Sequence, residues 1–182
     1  MSDAVLHSHA ELLRRYLVAV RAVSGELPMT EHDPERPSPC EVTAPDAEEN
    51  VLWRPVQRVP AAELATLQRD ADITLSDDLR AWLGAWWCLP FEASLGDESL
   101  ILLGIGGPAD EAAFGAQLGA HLAARRARSE PDTVPIGALG DGRFLTVDNV
   151  SGRVLLESPA KTLGVVAPSL AALLSRLTPL AL

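Results

Sequence analysis

Lysine is nearly absent from this chain: Lys161 stands alone beside 14 arginines among 182 residues. Scarce lysine with abundant alanine reads as a GC-rich coding bias, so raw Ala and Arg counts carry little weight. No basic cluster is longer than Arg125-Arg126 with nearby Arg128. A chain of formal net charge −10 and pI near 4.8 repels polyanions, which argues against nucleic acid and against an anionic lipid surface. Cysteine is scarce too. Cys40 and Cys88 are too few for a disulfide scaffold and have no metal-ligand spacing, which points to a reducing compartment. No stretch approaches the roughly 20 apolar residues of a membrane helix. Met1-Ser2-Asp3-Ala4 begins no basic-then-apolar leader, so the expectation is a cytoplasmic protein with no direct lipid insertion. Repeats and interdomain linkers are missing as well, and one domain over residues 1–182 is expected.

What the chain does have is charge confined to one part. Residues 1–100 hold 18 acids against 8 arginines, whereas residues 101–182 carry 7 acids against 7 bases. Segregation of this kind would give the folded chain an acidic face able to steer a basic partner. The question it raises is what binds, rather than what reacts.

Local patterns supply the elements. Residues 3–23 place Val5, Leu6, His9, Leu12, Leu13, Tyr16, Leu17 and Val20 at helical spacing. Residues 25–49 concentrate Gly25, Pro28, Pro34, Pro37, Pro39 and Pro45 among acids, which excludes a regular helix. Within that irregular segment, residues 40–43 and 50–53 are expected to pair across an acidic turn. Ser76 with Asp77 and Asp78 predicts a helix start, and Leu79, Trp82, Leu83, Trp86 and Trp87 read as one apolar stripe that must stop by Pro90. Residues 100–105 form a buried-strand pattern, and Pro108 opens a long helix that ends at Arg125, Arg126 and Arg128. Residues 134–139, 143–147 and 153–157 predict an antiparallel meander, followed by a final helix over 168–177. The fold class expected is α+β, a central antiparallel sheet flanked by helices.

Chemistry-bearing motifs are few. Gly104-Ile105-Gly106-Gly107-Pro108-Ala109 formally fits a dinucleotide fingerprint, but Pro108 removes a backbone donor and no βαβ repetition follows, so a tight strand-to-helix turn is the expected reading. His7, His9, His32 and His121 are scattered outside any zinc pattern. Glu41 beside Cys40, and the apolar surroundings of Cys88, argue against a nucleophilic thiol. The expectation is no enzyme, no catalytic residue, no cofactor and no metal. Trp53, beside the acidic turn, is equally consistent with a core residue and an interface anchor.

Pro37-Ser38-Pro39-Cys40, a short acidic insert, and then Leu52-Trp53-Arg54-Pro55 resemble the Syd family of bacterial SecY-interacting proteins. The likeness continues through Ala71-Asp72-Ile73, Gly96-Asp97, Gly119-Ala120-His121-Leu122, Asn149-Val150-Ser151-Gly152-Arg153-Val154 and the closing Leu177-Thr178-Pro179-Leu180. It departs at the glycine-rich turn 104–107 and in a shorter segment between Trp82 and Gly96. The resemblance implies a peripheral protein on the cytoplasmic side of the inner membrane that binds SecY through an acidic concave surface and monitors or regulates translocon assembly. The same superfamily includes toxin-neutralising immunity proteins, which is the alternative reading. No family motif assigns single contacts, so position and charge nominate Asp46, Glu48, Glu49, Trp53, Asp72 and Asp97 as partner-binding residues.

Overall fold

The computed structural model describes residues 2–181. Helix α1 (Asp3–Ser24) starts where the Ser2 hydroxyl accepts from the Val5 N–H, and it ends at Gly25, whose left-handed φ of 78° lets its N–H reach the Arg21 carbonyl. Strands β1 (Met29–Glu31) and β2 (Asn50–Leu52) form a small antiparallel ribbon, and β3 (Val56–Gln57) follows. Next come α2 (Ala65–Asp70), α3 (Asp77–Gly84), β4 (Trp86–Trp87), β5 (Phe91–Leu95), β6 (Glu98–Leu102) and α4 (Pro108–Ala127). The chain closes with β7 (Thr133–Leu139), β8 (Phe144–Asp148), β9 (Val154–Ser158), β10 (Lys161–Ala167), α5 (Leu170–Arg176) and β11 (Thr178–Pro179). Seven strands make one antiparallel sheet in the order β10-β9-β8-β7-β6-β5-β11. The expected α+β class with a central antiparallel sheet is what forms, and the 134–157 meander is its middle.

One sheet face is apolar. Leu100, Leu102, Val134, Ile136, Leu145 and Val147 are buried there, in one cluster with Leu12 of α1 and with Leu170, Leu173 and Leu174 of α5. Each such side chain contributes about 1.5–3 kcal/mol on burial. Arg15 fastens α1 to α5 by donating to the carbonyls of Leu177 (2.8 Å) and Leu174 (3.1 Å), which the helix end leaves without partners. The opposite face is crossed by the C-terminal half of α4. There His121 meets Thr133 and the Phe144 ring, and Arg125 meets Glu157.

Two expectations change. The main partner of β2 is Met29–Glu31, and the expected 40–43 partner meets its other edge in part, through the antiparallel Glu41–Trp53 bridge, the Val42 N–H to Leu52 carbonyl and Arg54 N–H to Cys40 carbonyl bonds, and the Leu52 N–H to Thr43 Oγ1 bond. Prolines 37 and 39 have no N–H to donate to a ladder, so the pairing does not extend back before Cys40. Trp86 and Trp87 leave the helix at Gly84 and pair with β3. The Ala62 carbonyl lies 2.5 Å from where a Gly84 Cβ would sit, so the loop packs onto the helix end and stops it. Three elements that were not expected, β5, β10 and α2, carry no strong local pattern and emerge only in the fold.

Candidate partner-binding surface

Residues 25–53 carry eight acids against one arginine and form an arm around the β1–β2 ribbon, seated on the core by Cys40, Val51 and Trp53. Glu26, Glu31, Asp33, Glu35, Asp46, Glu48 and Glu49 are all exposed. Its single arginine, Arg36, is committed to Asp110 in the first turn of α4. His32 Nδ1 lies 2.8 Å from Glu41 Oε2, on the inner side of the arm. The tip is shaped by Asp46, whose Oδ1 accepts from the N–H groups of Glu48 (2.9 Å) and Asn50 (2.8 Å). That arrangement is an Asx turn, in which a short acidic side chain replaces a backbone acceptor. Glu49 adopts a left-handed φ of 62° and gives its carbonyl to the His32 N–H at 2.7 Å. The Glu48 and Glu49 carboxylates have no hydrogen-bond or ion-pair partner among the described residues, so they project into solvent.

The root of the arm is held by the Pro37-Ser38-Pro39-Cys40 run. Ser38 Oγ donates to the Gly106 carbonyl at 2.5 Å and accepts from the Cys40 N–H at 3.1 Å. Pro39 and Pro37 lie 3.4 and 3.5 Å from where a Gly107 Cβ would sit. On the other flank of the turn, a Gly104 Cβ would strike the Cys88 carbonyl, and a Gly106 Cβ would strike the Leu89 side chain. Asp110 Oδ2 accepts the Gly106 N–H at 3.1 Å. The glycine run is therefore a packing junction filled by protein, and the amide a phosphate would need is already used. Ser38→Ala removes both Ser38 bonds; it should cost about 1–3 kcal/mol and speed proteolytic cleavage within residues 30–50, measurable by limited digestion against the wild type.

The six nominated residues do not converge. Asp46, Glu48 and Glu49 share the arm tip. Trp53 is a correction: it is 3% exposed, with its ring 5.8 Å from that of Tyr16, because inward alternation along the strand turns Val51 and Trp53 into the core. It roots the arm rather than facing a partner. Asp72 is exposed beside the end of α4, where Arg126 donates to its carboxylate at 3.0 Å and to its carbonyl at 2.8 Å. Asp110 and Arg126 lie 16 residues apart on that helix, about 24 Å. Asp72 and the arm root thus sit at opposite ends of α4. Asp97 occupies the exposed β5–β6 turn, whose neighbour Glu98 pairs with Arg143 at 2.8 Å. That turn lies beyond the Leu139 end of β7, whereas Asp132 and Asp72 gather at its Thr133 end, about 20 Å away. The arm instead adds Glu26, Glu31, Asp33 and Glu35, which the acid run in the proline-rich segment already marked.

Burial pushes the Cys40 thiol up, and burial together with the nearby Cys40 pushes Cys88 well up, so neither thiolate forms readily near neutral pH. Among the described residues no group of three or more His, Cys, Asp or Glu could hold a metal ion, and no helix is long and apolar enough to cross a membrane.

Comparison with known proteins matches residues 7–179 to the family described as Syd protein (SUKH-2). The chain is similar to the protein named Protein Syd of Pectobacterium carotovorum subsp. carotovorum (strain PC1), at 30% identity over 100% of both chains. It is similar to that of Cronobacter sakazakii (strain ATCC BAA-894), at 31% identity over 99% of both. It also matches that of Shewanella frigidimarina (strain NCIMB 400), at 33% identity over 74% of this chain and 63% of the relative's own length.

Proposed function

The chain belongs to the Syd family, and from that premise we propose that it is a non-enzymatic binding protein of the SecY translocon. In this reading the acidic arm engages basic cytoplasmic loops of SecY from the cytoplasmic side of the inner membrane and so monitors or regulates translocon assembly. The observation that carries it is the arm itself: eight acids, seven of them exposed, whose one arginine is already tied to α4. Cytoplasmic loops of membrane proteins are enriched in Lys and Arg, which makes an acidic projection their electrostatic complement. Asp46, Glu48 and Glu49 form the leading contact, and Asp72 and Asp97 contribute only if the partner wraps the domain.

The test is capture of detergent-solubilised SecY complex by the purified protein at low and high salt. Capture should weaken as salt rises, because exposed charges are screened beyond about 8–10 Å near physiological ionic strength. Reversing the tip with Glu48→Lys and Glu49→Lys should reduce low-salt affinity about tenfold while leaving the melting curve unchanged, since the tip bears no core contacts. Affinity that ignores both salt and the double reversal would remove the arm from the mechanism. Failure to capture SecY at either salt by folded protein would point to a different basic partner, such as the toxin of an immunity pair.

A further inference from the structure

Where the arm leaves α1, a cleft of about 220 Å³ opens between the C-terminal half of that helix, the Pro28-Met29 start of the arm, the entry to β5 and Leu180. Val20 and Phe91 give it apolar walls, and Met29, 62% exposed, stands at its rim. The Pro28 carbonyl accepts the Trp53 N–H at 2.9 Å, so the arm side of the cleft is fixed to the same buried strand that roots the arm.

Two polar side chains line the cleft, and neither has a partner among the described residues. Tyr16, the only tyrosine of the chain, is 7% exposed, with its ring 4.5 Å from that of Phe91. Its hydroxyl makes no hydrogen bond to a described residue, so the cleft is the space from which a partner can reach it. Burial, then the nearby Cys88 and Glu92, push its pKa up to about 12, so the phenol keeps its proton. Glu92, only partly exposed, forms no ion pair and no side-chain hydrogen bond among the described residues, and it is the one charged residue of the lining. A buried polar group without a partner is costly, and an unpaired carboxylate with no base beside it leaves the cleft short of a cation. Apolar walls ending in an acid and a phenol match the two halves of a long basic side chain, its aliphatic stem and its charged head.

We infer that this cleft is the anchor point for one lysine or arginine side chain of the partner, whose charged head donates to the Glu92 carboxylate and the Tyr16 hydroxyl oxygen. The inference deepens the reading that the partner is basic and rests on it. Position supports it, because Met29 belongs both to the cleft and to β1, and the exposed acids Glu26 and Glu31 lie within three residues of it. A basic segment held along the arm by its exposed acids therefore passes the mouth of the cleft. The arm supplies long-range attraction that salt screens, whereas the cleft supplies a partly buried contact that fixes register.

The test uses the whole purified protein and needs no SecY, so its outcome is separable from the capture experiment. The protein is labelled with 13C-tyrosine, and the ring resonances of Tyr16, unique in the spectrum, are followed as N-acetyl-lysine methylamide or its arginine counterpart is added. N-acetyl-norleucine methylamide, which keeps an aliphatic stem and lacks the charge, is the control. At least one basic probe should shift Tyr16 with a dissociation constant in the millimolar range, about what one side chain achieves, and norleucine should not. Glu92→Gln should weaken that binding at least about fivefold while the tryptophan indole resonances stay in place. If that variant fails to fold, Met29→Lys at the exposed rim offers the cleft a resident ammonium and should weaken the probe as well. A Tyr16 resonance that neither basic probe moves, equal shifts with norleucine, or binding that ignores the loss of the Glu92 charge would overturn the inference. Probe binding without SecY capture would leave the cleft standing and change the partner, whereas capture without probe binding would remove the cleft alone.

Discussion

Glu157→Leu will strip about 3–5 kcal/mol from the stability of this protein, a large share of the roughly 5–15 kcal/mol by which domains are held folded. Glu157 is 1% exposed and its Oε2 accepts from Arg125 Nη1 at 2.7 Å. Arg125, 3% exposed, also donates from Nε to the Pro131 carbonyl at 2.6 Å, and Glu130 stands 3.5 Å off. Removing the carboxylate leaves a guanidinium that cannot lose its charge beneath α4, facing only a carbonyl and a more distant, half-buried acid. The cost is the stranded charge more than the lost attraction. The pair Arg125→Met with Glu157→Leu should accordingly recover most of what the single change loses, since matched apolar residues often replace a buried ion pair at little cost. Urea denaturation gives the numbers directly. For a chain of this size each kcal/mol moves the melting temperature by about 2–4 °C, so the single variant should melt about 6–20 °C lower. A loss below about 1 kcal/mol would show that water reaches Arg125. Exposed pairs such as Arg128–Glu130 should each matter by less than about 1 kcal/mol.

Acid will weaken the protein well before its carboxylates protonate, and His9 is the cause. His9 is 3% exposed, stacks 4.2 Å from the Trp82 ring, and has no partner for Nδ1 among the described residues. Burial alone lowers its pKa from 6.5 to about 3. The folded state therefore holds a neutral ring over a pH range in which the unfolded chain takes up a proton. The sign follows: the contribution is complete above pH 6.5 and is lost as pH falls toward 3. At 1.36 kcal/mol per unit, the loss is about 2 kcal/mol at pH 5 and about 4–5 kcal/mol near pH 3. His121, whose pKa burial also lowers, adds in the same direction. Comparing wild type with His9→Leu between pH 7.5 and 4.5 isolates the His9 share. The wild type should lose about 2 kcal/mol more than the variant by pH 5, and parallel curves would show that His9 is hydrated or protonated in the fold.

Much of the architecture was legible before folding because its signals are local. Apolar spacing over residues 3–23 marked α1, and Pro108 and Arg126 marked the ends of α4, since helical periodicity and a dipole partner act within one or two turns. The β7–β9 meander was readable from alternation interrupted by Asp141-Gly142 and Ser151-Gly152. The tryptophan stripe misled for the same reason. Trp82, Trp86 and Trp87 keep helical spacing in sequence, yet the packing of the Ala62 backbone on Gly84 ends the helix between them. Likewise, nothing within residues 50–53 says that Met29–Glu31, twenty residues upstream, will supply the strand partner.

For function, the sequence alone determined the sign of the surface, the position of the acidic arm and, through Pro37-Ser38-Pro39-Cys40 with Trp53-Arg54-Pro55, the family. Charge and short motifs are properties of composition and adjacency and survive without a fold. Only the tertiary structure decided which acids lie together. It buried Trp53, separated Asp72 and Asp97 by the length of β7, and set Tyr16, Met29 and Glu92 around one cleft from three separate parts of the chain. The physical reason is that a site is a set of distances, and long-range distances are fixed by strand pairing and core packing between residues that share no local pattern.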